Sequence, residues 1–250
     1  MSIMIRSLGV TALLLGVSNP AWAFHTVDTF SDQAAVGGGG GIYYTGSPRF
    51  RRWDCTACHI DAPKELLLNL SSEPPGLLTE GVYVPGEVYT ITLGFRNESR
   101  GLDSRANYNT FALEIIDGAV EPVGGFFNFD ENLLRVTPGG DAIIARGQKN
   151  IDINSWTFQW GAPEAGRGYV DLHVAAVDGD GAGSNTMEQG DPLNDDVVTG
   201  VLRLAEMGQP APPLEAPTGV SAGCSSVPAQ DVLLMLWLPA LLMRRRRRSA

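Results

Sequence analysis

The six residues Ser155-Trp156-Thr157-Phe158-Gln159-Trp160 alternate polar with aromatic side chains and then stop at Gly161-Ala162-Pro163. Because successive side chains of a strand point to opposite faces, the alternation places all three aromatic rings on one face. One apolar and one polar face are typical of an antiparallel strand that packs against a core. The stretch therefore predicts a half-buried strand that ends at a turn.

Similar short runs of β-forming residues recur along the chain, separated by clusters of Gly, Pro, Asn and Asp. These further strand candidates are 82–84, 88–93, 111–116, 126–129, 133–136, 169–177 and 197–204. No long helical periodicity competes, although 64–70 fits either a short helix or an extended segment. The pattern predicts an all-β fold, an antiparallel immunoglobulin- or fibronectin-like β-sandwich of about seven or eight strands.

The motif Cys55-Thr56-Ala57-Cys58-His59 is a complete C-x-x-C-H, the pattern that attaches a c-type haem. In that reading Cys55 and Cys58 form the thioether bonds, and His59 is the proximal ligand of the haem iron. The absence of a long helix around the motif weakens this reading, because small cytochromes usually wrap their haem in helices. A disulfide between Cys55 and Cys58, idle thiols, or another metal remain open as alternatives.

A haem iron also needs a second axial ligand or an open position. The candidates are His25, His173, Met187 and Met207. By alternation His173 belongs to the polar face of its strand, where we expect it to face solvent or to be hydrogen-bonded. No second ligand is assigned.

Both ends of the chain carry targeting signals. Arg6, an apolar run over 8–17 and Ala21-Trp22-Ala23 predict a signal peptide, with the mature chain starting at Phe24. Near the other end, Cys224 follows a Pro-rich spacer and precedes an apolar stretch over 232–243 and five arginines. The apolar stretch is shorter than the roughly 20 residues of a spanning helix. A removable signal is therefore favoured over an ordinary single-pass transmembrane helix.

The ending Gly223-Cys224-Ser225-Ser226, with its apolar segment and arginine run, resembles the C-terminal sorting tail of myxobacterial surface proteins. The resemblance implies processing or lipidation at Cys224 and anchoring at the cell surface, on the outer membrane of a Gram-negative bacterium. The domain organisation expected is: signal peptide 1–23, Gly-rich flexible segment 24–52, C-x-x-C-H segment 53–76, β-sandwich 77–206, spacer 207–223 and tail 224–250.

The C-x-x-C-H, the strand Pro85-Gly86-Glu87-Val88-Tyr89-Thr90-Ile91-Thr92 and the Trp156–Pro163 stretch occur here in one order, followed by Gly168-Tyr169-Val170-Asp171-Leu172. As a set they resemble the reelin-like sandwich domains of bacterial surface proteins with varied C-terminal anchors, over residues 53–204. The resemblance implies a sandwich, a surface location and no established enzymatic activity.

The formal net charge of −10 argues against binding to nucleic acid or anionic lipid, so contact with the membrane is expected only through the C-terminal anchor. The acidic loop Asp178-Gly179-Asp180-Gly181-Ala182-Gly183 matches a calcium-binding loop only in part, because Ala182 and Gln189 miss at positions 5 and 12. Asp191, Asp195 and Asp196 would offer a different calcium site at an end of the sandwich, but an acidic loop without metal is favoured.

Hydrolase motifs are absent from the sequence, and carboxylates such as Glu114 and Asp117 are expected on solvated faces, so we do not expect an enzyme. The function predicted is that of a cell-surface-anchored β-sandwich carrying one covalent haem, for surface electron transfer or redox sensing. The alternative is an adhesion or ligand-binding module with a Cys55–Cys58 disulfide. Its partner would be a surface protein, a glycan or a redox protein.

Overall fold

The structure, a computed structural model, describes residues 41–57, 59, 65–102, 107–146, 152–179 and 195–210. Two 3-10 turns, Pro48–Phe50 and Cys55–Ala57, precede the strands, and one short helix, α1 (Gly76–Thr79), follows the first strand. The strands are β1 (Leu67–Glu73), β2 (Val82–Tyr83), β3 (Val88–Arg96), β4 (Tyr108–Asp117), β5 (Gly125–Phe127), β6 (Leu134–Val136), β7 (Ala142–Ala145), β8 (Ser155–Gly161), β9 (Val170–Gly179) and β10 (Asp196–Glu206).

The strands form two sheets. One has four strands in the order β1-β3-β8-β5, and the other has six in the order β2-β10-β9-β4-β7-β6. Every pairing is antiparallel except that of β10 with the two-residue β2, which is parallel. The structure confirms the all-β sandwich.

Aromatic side chains fill the space between the two sheets. Trp156 and Trp160 of β8 are buried, and the Trp156 ring lies 5.1 Å from that of Phe111 on β4 in the opposite sheet. The Trp160 indole donates its Nε1–H to the carbonyl oxygen of Val123, at 3.2 Å, so its one polar atom is satisfied inside the core. The predicted half-buried strand is therefore confirmed as β8, and its aromatic side chains form a large part of the core.

The two central strands of the six-stranded sheet, β4 and β9, are buried on both faces. Their inner faces contact the core, whereas part of the outer face is covered by the segment that runs from residue 41 to residue 57. Tyr43 and Phe50 of this segment pack against Ala112, Ala142 and Ile144 in a second, smaller apolar cluster. The C-x-x-C-H motif thus lies against the outside of the sandwich.

The described residues contain ten strands rather than seven or eight. The two strands beyond the eight candidates are the seven-residue β1 and the four-residue β7, and β7 was not expected because Ala142–Ala145 is an apolar run without alternation. It is buried on both faces, which removes the polar positions that mark a half-exposed strand. The segment that fitted either a helix or a strand becomes β1.

Candidate functional site

The described part of the C-x-x-C-H motif forms a single helical turn. The Ala57 N–H donates to the carbonyl of Asp54 at 3.1 Å, and the His59 N–H donates to the carbonyl of Cys55 at 3.0 Å. Asp54 caps the turn, since its Oδ1 accepts the backbone N–H of Thr56 at 2.8 Å. Residues four apart on a helical turn lie on the same side, so the turn brings Cys55 and His59 together. Cys58 lies outside the described residues.

The His59 ring is held by a carboxylate from the far end of the chain. Its Nδ1 lies 2.5 Å from Oδ2 of Asp195, the residue just before β10, and the Asp195 side chain is almost fully buried. An ionised carboxylate only accepts hydrogen bonds, so the contact places the ring proton on Nδ1. In the neutral ring the lone pair is then on Nε2. A histidine held in this way by a carboxylate is oriented to bind a metal through its other nitrogen.

The segment that carries the motif is anchored to the outer face of the sheet by charged groups. Arg49 donates to Oε2 of Glu114 at 2.9 Å and to Oδ2 of Asp141 at 2.6 Å, and the Thr45 hydroxyl donates to the other carboxylate oxygen of Glu114. The backbone of Thr45 also forms an isolated antiparallel β-bridge with that of Asp54, next to the motif. Glu114, which we expected on a solvated face, is completely buried here because the segment covers it.

The environment of Asp141 reflects this anchoring. Burial alone would raise the pKa of the Asp141 carboxyl, but hydrogen bonds from Thr137 and Arg49 and the positive charge of Arg49 outweigh it and lower the pKa. The Asp141 carboxylate therefore stays ionised, and Arg49 joins Glu114 on β4 to Asp141, which directly precedes the neighbouring β7.

His173 lies on the covered outer face, not in solvent. It pairs directly with Glu114 across β4 and β9, and it is 4% exposed. Neither of its ring nitrogens has a hydrogen-bond partner among the described residues. Burial lowers the pKa of His173, against the opposing charges of Glu114 and Asp171 and with a contribution from Arg52. The expectation of a solvent-facing or hydrogen-bonded histidine is wrong, because alternation cannot show that another segment covers the polar face.

The other residues singled out in the sequence are scattered or outside the described ranges. Met207 is exposed just after β10. His25, Met187 and Cys224 are outside the described residues, as are the signal peptide and the sorting tail. Within the described ranges, no helix is long and apolar enough to cross a membrane.

Of the acidic loop, only Asp178, Gly179, Asp195 and Asp196 are described. Asp195 contacts His59. In the part of the chain that the structure describes, no three His, Cys, Asp or Glu side chains are grouped closely enough to hold a metal ion.

Sequence reasoning missed the role of Asp195. It lies 136 residues from His59, and only the fold brings the start of β10 next to the helical turn. No local pattern around Asp195 distinguishes it from its acidic neighbours, so no sequence signal would have found this contact.

No protein-family model and no curated protein matches the chain. Among solved structures it is similar to the human F-spondin reeler domain (fragment 2), at 17% identity and a TM-score of 0.37, over 60% of this chain and 96% of that one. It is also similar to the Reelin-N domain of F-spondin, at 17% identity and a TM-score of 0.39, over 61% of this chain and 94% of that one. A third similar structure is that of AvmM, which catalyses macrocyclization in alchivemycin A biosynthesis. The identity is 11% and the TM-score 0.32, over 60% of this chain and 93% of that one. We infer the function from the contacts of this chain's own residues.

Proposed function

We propose that the chain is a surface electron-transfer or redox-sensing protein with one c-type haem attached at Cys55 and Cys58. His59 would bind the haem iron through Nε2. The observation that carries the proposal is the 2.5 Å contact between His59 Nδ1 and Asp195 Oδ2, which fixes the ring and leaves the other nitrogen for a metal. When bound, a haem of this kind supplies one-electron oxidation and reduction.

The surroundings of the turn fit a flat apolar group. The rings of Tyr44 and Trp53 stack at a centroid distance of 6.2 Å beside the motif, and Trp53 is half-exposed. Cys55 is half-buried on the outer side of the sandwich, with its sulfur 4.0 Å from the carbonyl oxygen of Tyr44. A group attached there would stay close to solvent and to a partner protein, which suits electron exchange at a surface.

The remaining parts of the proposal come from the sequence. Export by the 1–23 signal would bring the chain to the compartment where c-type haem is attached, and processing at Cys224 would anchor it at the cell surface. The acidic surface favours a partner with a basic contact face. We propose no enzymatic reaction.

The test is to express the full chain in a Gram-negative host that matures c-type haem, and to stain the denatured protein for haem on a gel. The proposal predicts a stained band in the native sequence and no band in the Cys55→Ser, Cys58→Ser double variant. A control is Ser71→Ala at an exposed position of β1 in the other sheet, which should keep the stain.

A colourless native protein would contradict the proposal. If its intact mass were also lower by two hydrogens than that of the reduced chain, Cys55 and Cys58 would form a disulfide. The adhesion or ligand-binding module would then be the function to test.

A further inference from the structure

A row of oxygen-bearing side chains crosses three neighbouring strands at one end of the inner face of the six-stranded sheet. Asn109 on β4 is paired directly with Asp178 on β9, and Asp178 with Asp196 on β10. Directly opposed residues of antiparallel strands lie on the same face. All three are completely buried, and Asn107, two residues before Asn109, is nearly so.

Each of these four side chains has a buried oxygen without a hydrogen-bond partner among the described residues: Oδ1 of Asn107, Asn109, Asp178 and Asp196. A single buried acceptor without a partner is uncommon and costs about 1–3 kcal/mol in general. Four such oxygens at one end of a sandwich are acceptors that a bound cation or water would satisfy.

The other polar atoms of the row are in use, and they fix where the four oxygens point. Oδ2 of Asp178 accepts the N–H of Ser99 at 2.7 Å, and Oδ2 of Asp196 accepts the N–H groups of Glu65 and Leu66 at 2.8 and 2.9 Å. One oxygen of each carboxylate thus accepts hydrogen bonds from backbone next to the opposite sheet, and the other oxygen has no hydrogen-bond partner among the described residues.

The two amides are oriented by Glu98. Its Oε1 accepts the Nδ2 groups of Asn109 at 2.6 Å and of Asn107 at 3.3 Å. The Asn109 Nδ2 also donates to the carbonyl of Ile153 at 2.9 Å. Because the nitrogens face acceptors, the amide oxygens face away from Glu98, so the assignment of oxygen and nitrogen is not arbitrary.

The row contains two carboxylates, those of Asp178 and Asp196. Within the described ranges neither Asp178 nor Asp196 forms an ion pair. Burial raises the pKa of Asp178 to about 6, with further contributions from the negative charges of Glu98 and Asp196. A positive charge at this place would remove that penalty.

We propose that Asp178 and Asp196, with the amide oxygens of Asn107 and Asn109, bind one Ca²⁺ ion at this end of the sandwich. The donors are all hard oxygens, with no imidazole or thiolate, which is the ligand set of calcium rather than of zinc or copper. Two carboxylates match the charge of the ion, and water would complete the six to eight ligands that it takes. This site differs from the loop motif considered in the sequence, because two of its four residues are Asn109 in β4 and Asn107 just before it.

The ion would tie together the parts of the chain that the two carboxylates already contact. Asp196 follows Asp195 directly, so the ion would also steady the strand start that holds His59. The inference does not depend on haem, because the row is on the inner face and contains no residue of the C-x-x-C-H motif.

The test is calorimetric titration of the full chain, freed of metal with a chelator, with Ca²⁺ and separately with Mg²⁺. The proposal predicts one Ca²⁺ per chain and at least tenfold weaker binding in Asp178→Asn and in Asp196→Asn. The matched control is Asp171→Asn, an outward-facing carboxylate of the same β9 that pairs with Arg203, and it should bind as the wild type does.

Thermal unfolding with and without Ca²⁺ separates loss of the ion site from a folding defect in a variant. In chelator, Asp178→Asn should be at least as stable as the wild type, since it removes a buried uncompensated charge, and Ca²⁺ should raise the melting temperature of the wild type alone. The double variant Asp180→Asn, Asp191→Asn, in the neighbouring acidic loop, should keep the binding.

Two results would overturn the proposal. One is the absence of Ca²⁺ binding by the wild type at millimolar concentration. The other is Ca²⁺ binding that is lost in the loop variant but not in Asp178→Asn.

Discussion

Arg49→Met should show how strongly the segment that carries the C-x-x-C-H motif is held on the sheet. Arg49 is 20% exposed and donates to Glu114, which is completely buried. Removing the arginine leaves the buried Glu114 carboxylate with only the Thr45 hydroxyl as a partner. Loss of one member of a buried pair typically costs about 3–5 kcal/mol, because the other charge stays buried without compensation. We expect a loss of that size in the free energy of unfolding.

Urea unfolding followed by the fluorescence of the buried Trp156 and Trp160 would measure the loss. The internal control is Arg203→Met, which removes a similar bidentate pair with Asp171 on the surface, where Arg203 is 60% exposed. Exposed pairs are worth about 0–1 kcal/mol, so the control should change little.

The double variant Arg49→Met, Glu114→Leu should recover the part of the loss that comes from Glu114, since it removes that buried charge and leaves the Thr45 hydroxyl without its acceptor at a cost of about 1 kcal/mol. Asp141 loses Arg49 in both variants but keeps the hydrogen bond from Thr137. Equal losses in Arg49→Met and Arg203→Met would refute the reasoning. They would mean that Glu114 reaches water in solution and that the segment does not cover it.

Two further variants test the core and the covered face. Gly124 has φ +73°, and an added Cβ would lie 2.3 Å from the Gly161 carbonyl oxygen and 2.4 Å from Trp160 Nε1. Gly124→Ala should therefore lower the free energy of unfolding by more than about 2 kcal/mol, as measured by thermal unfolding. The control Gly118→Ala, at a position with open space around it, should be near neutral. His173 has a folded pKa below its unfolded value, so its contribution to stability is complete above about pH 6.5 and is lost as the pH falls below that value. Unfolding between pH 8 and pH 5 should therefore depend less on pH in His173→Leu, and an unchanged slope would show that the ring is solvated.

The inner faces of the strands were predictable from sequence, whereas the outer face was not. The sequence itself contains the β-strand patterns of β3, β4, β8, β9 and β10, most clearly the aromatic alternation of β8. These five strands were therefore predicted with errors of only a few residues at their ends. What covers His173 and Glu114 is a tertiary contact by the segment from residue 41 to residue 57, and that segment follows a five-glycine run with no strand pattern.

The candidate site divides in the same way. The C-x-x-C-H motif is a local pattern, so haem attachment and its disulfide alternative could both be hypothesised from the sequence alone. Its carboxylate partner Asp195, and the row formed by Asn109, Asp178 and Asp196, depend on strand register between β4, β9 and β10, which short-range sequence patterns do not contain.

The central claim is that His59, held by Asp195, binds a haem iron. The most direct measurement is a redox titration of the haem absorption spectrum in the wild-type full chain and in Asp195→Asn. With haem bound, the carboxylate would make the ring a stronger electron donor to the iron, so its loss should favour the reduced form and raise the midpoint potential. A protein with no haem to titrate, or identical potentials in the two proteins, would contradict the claim.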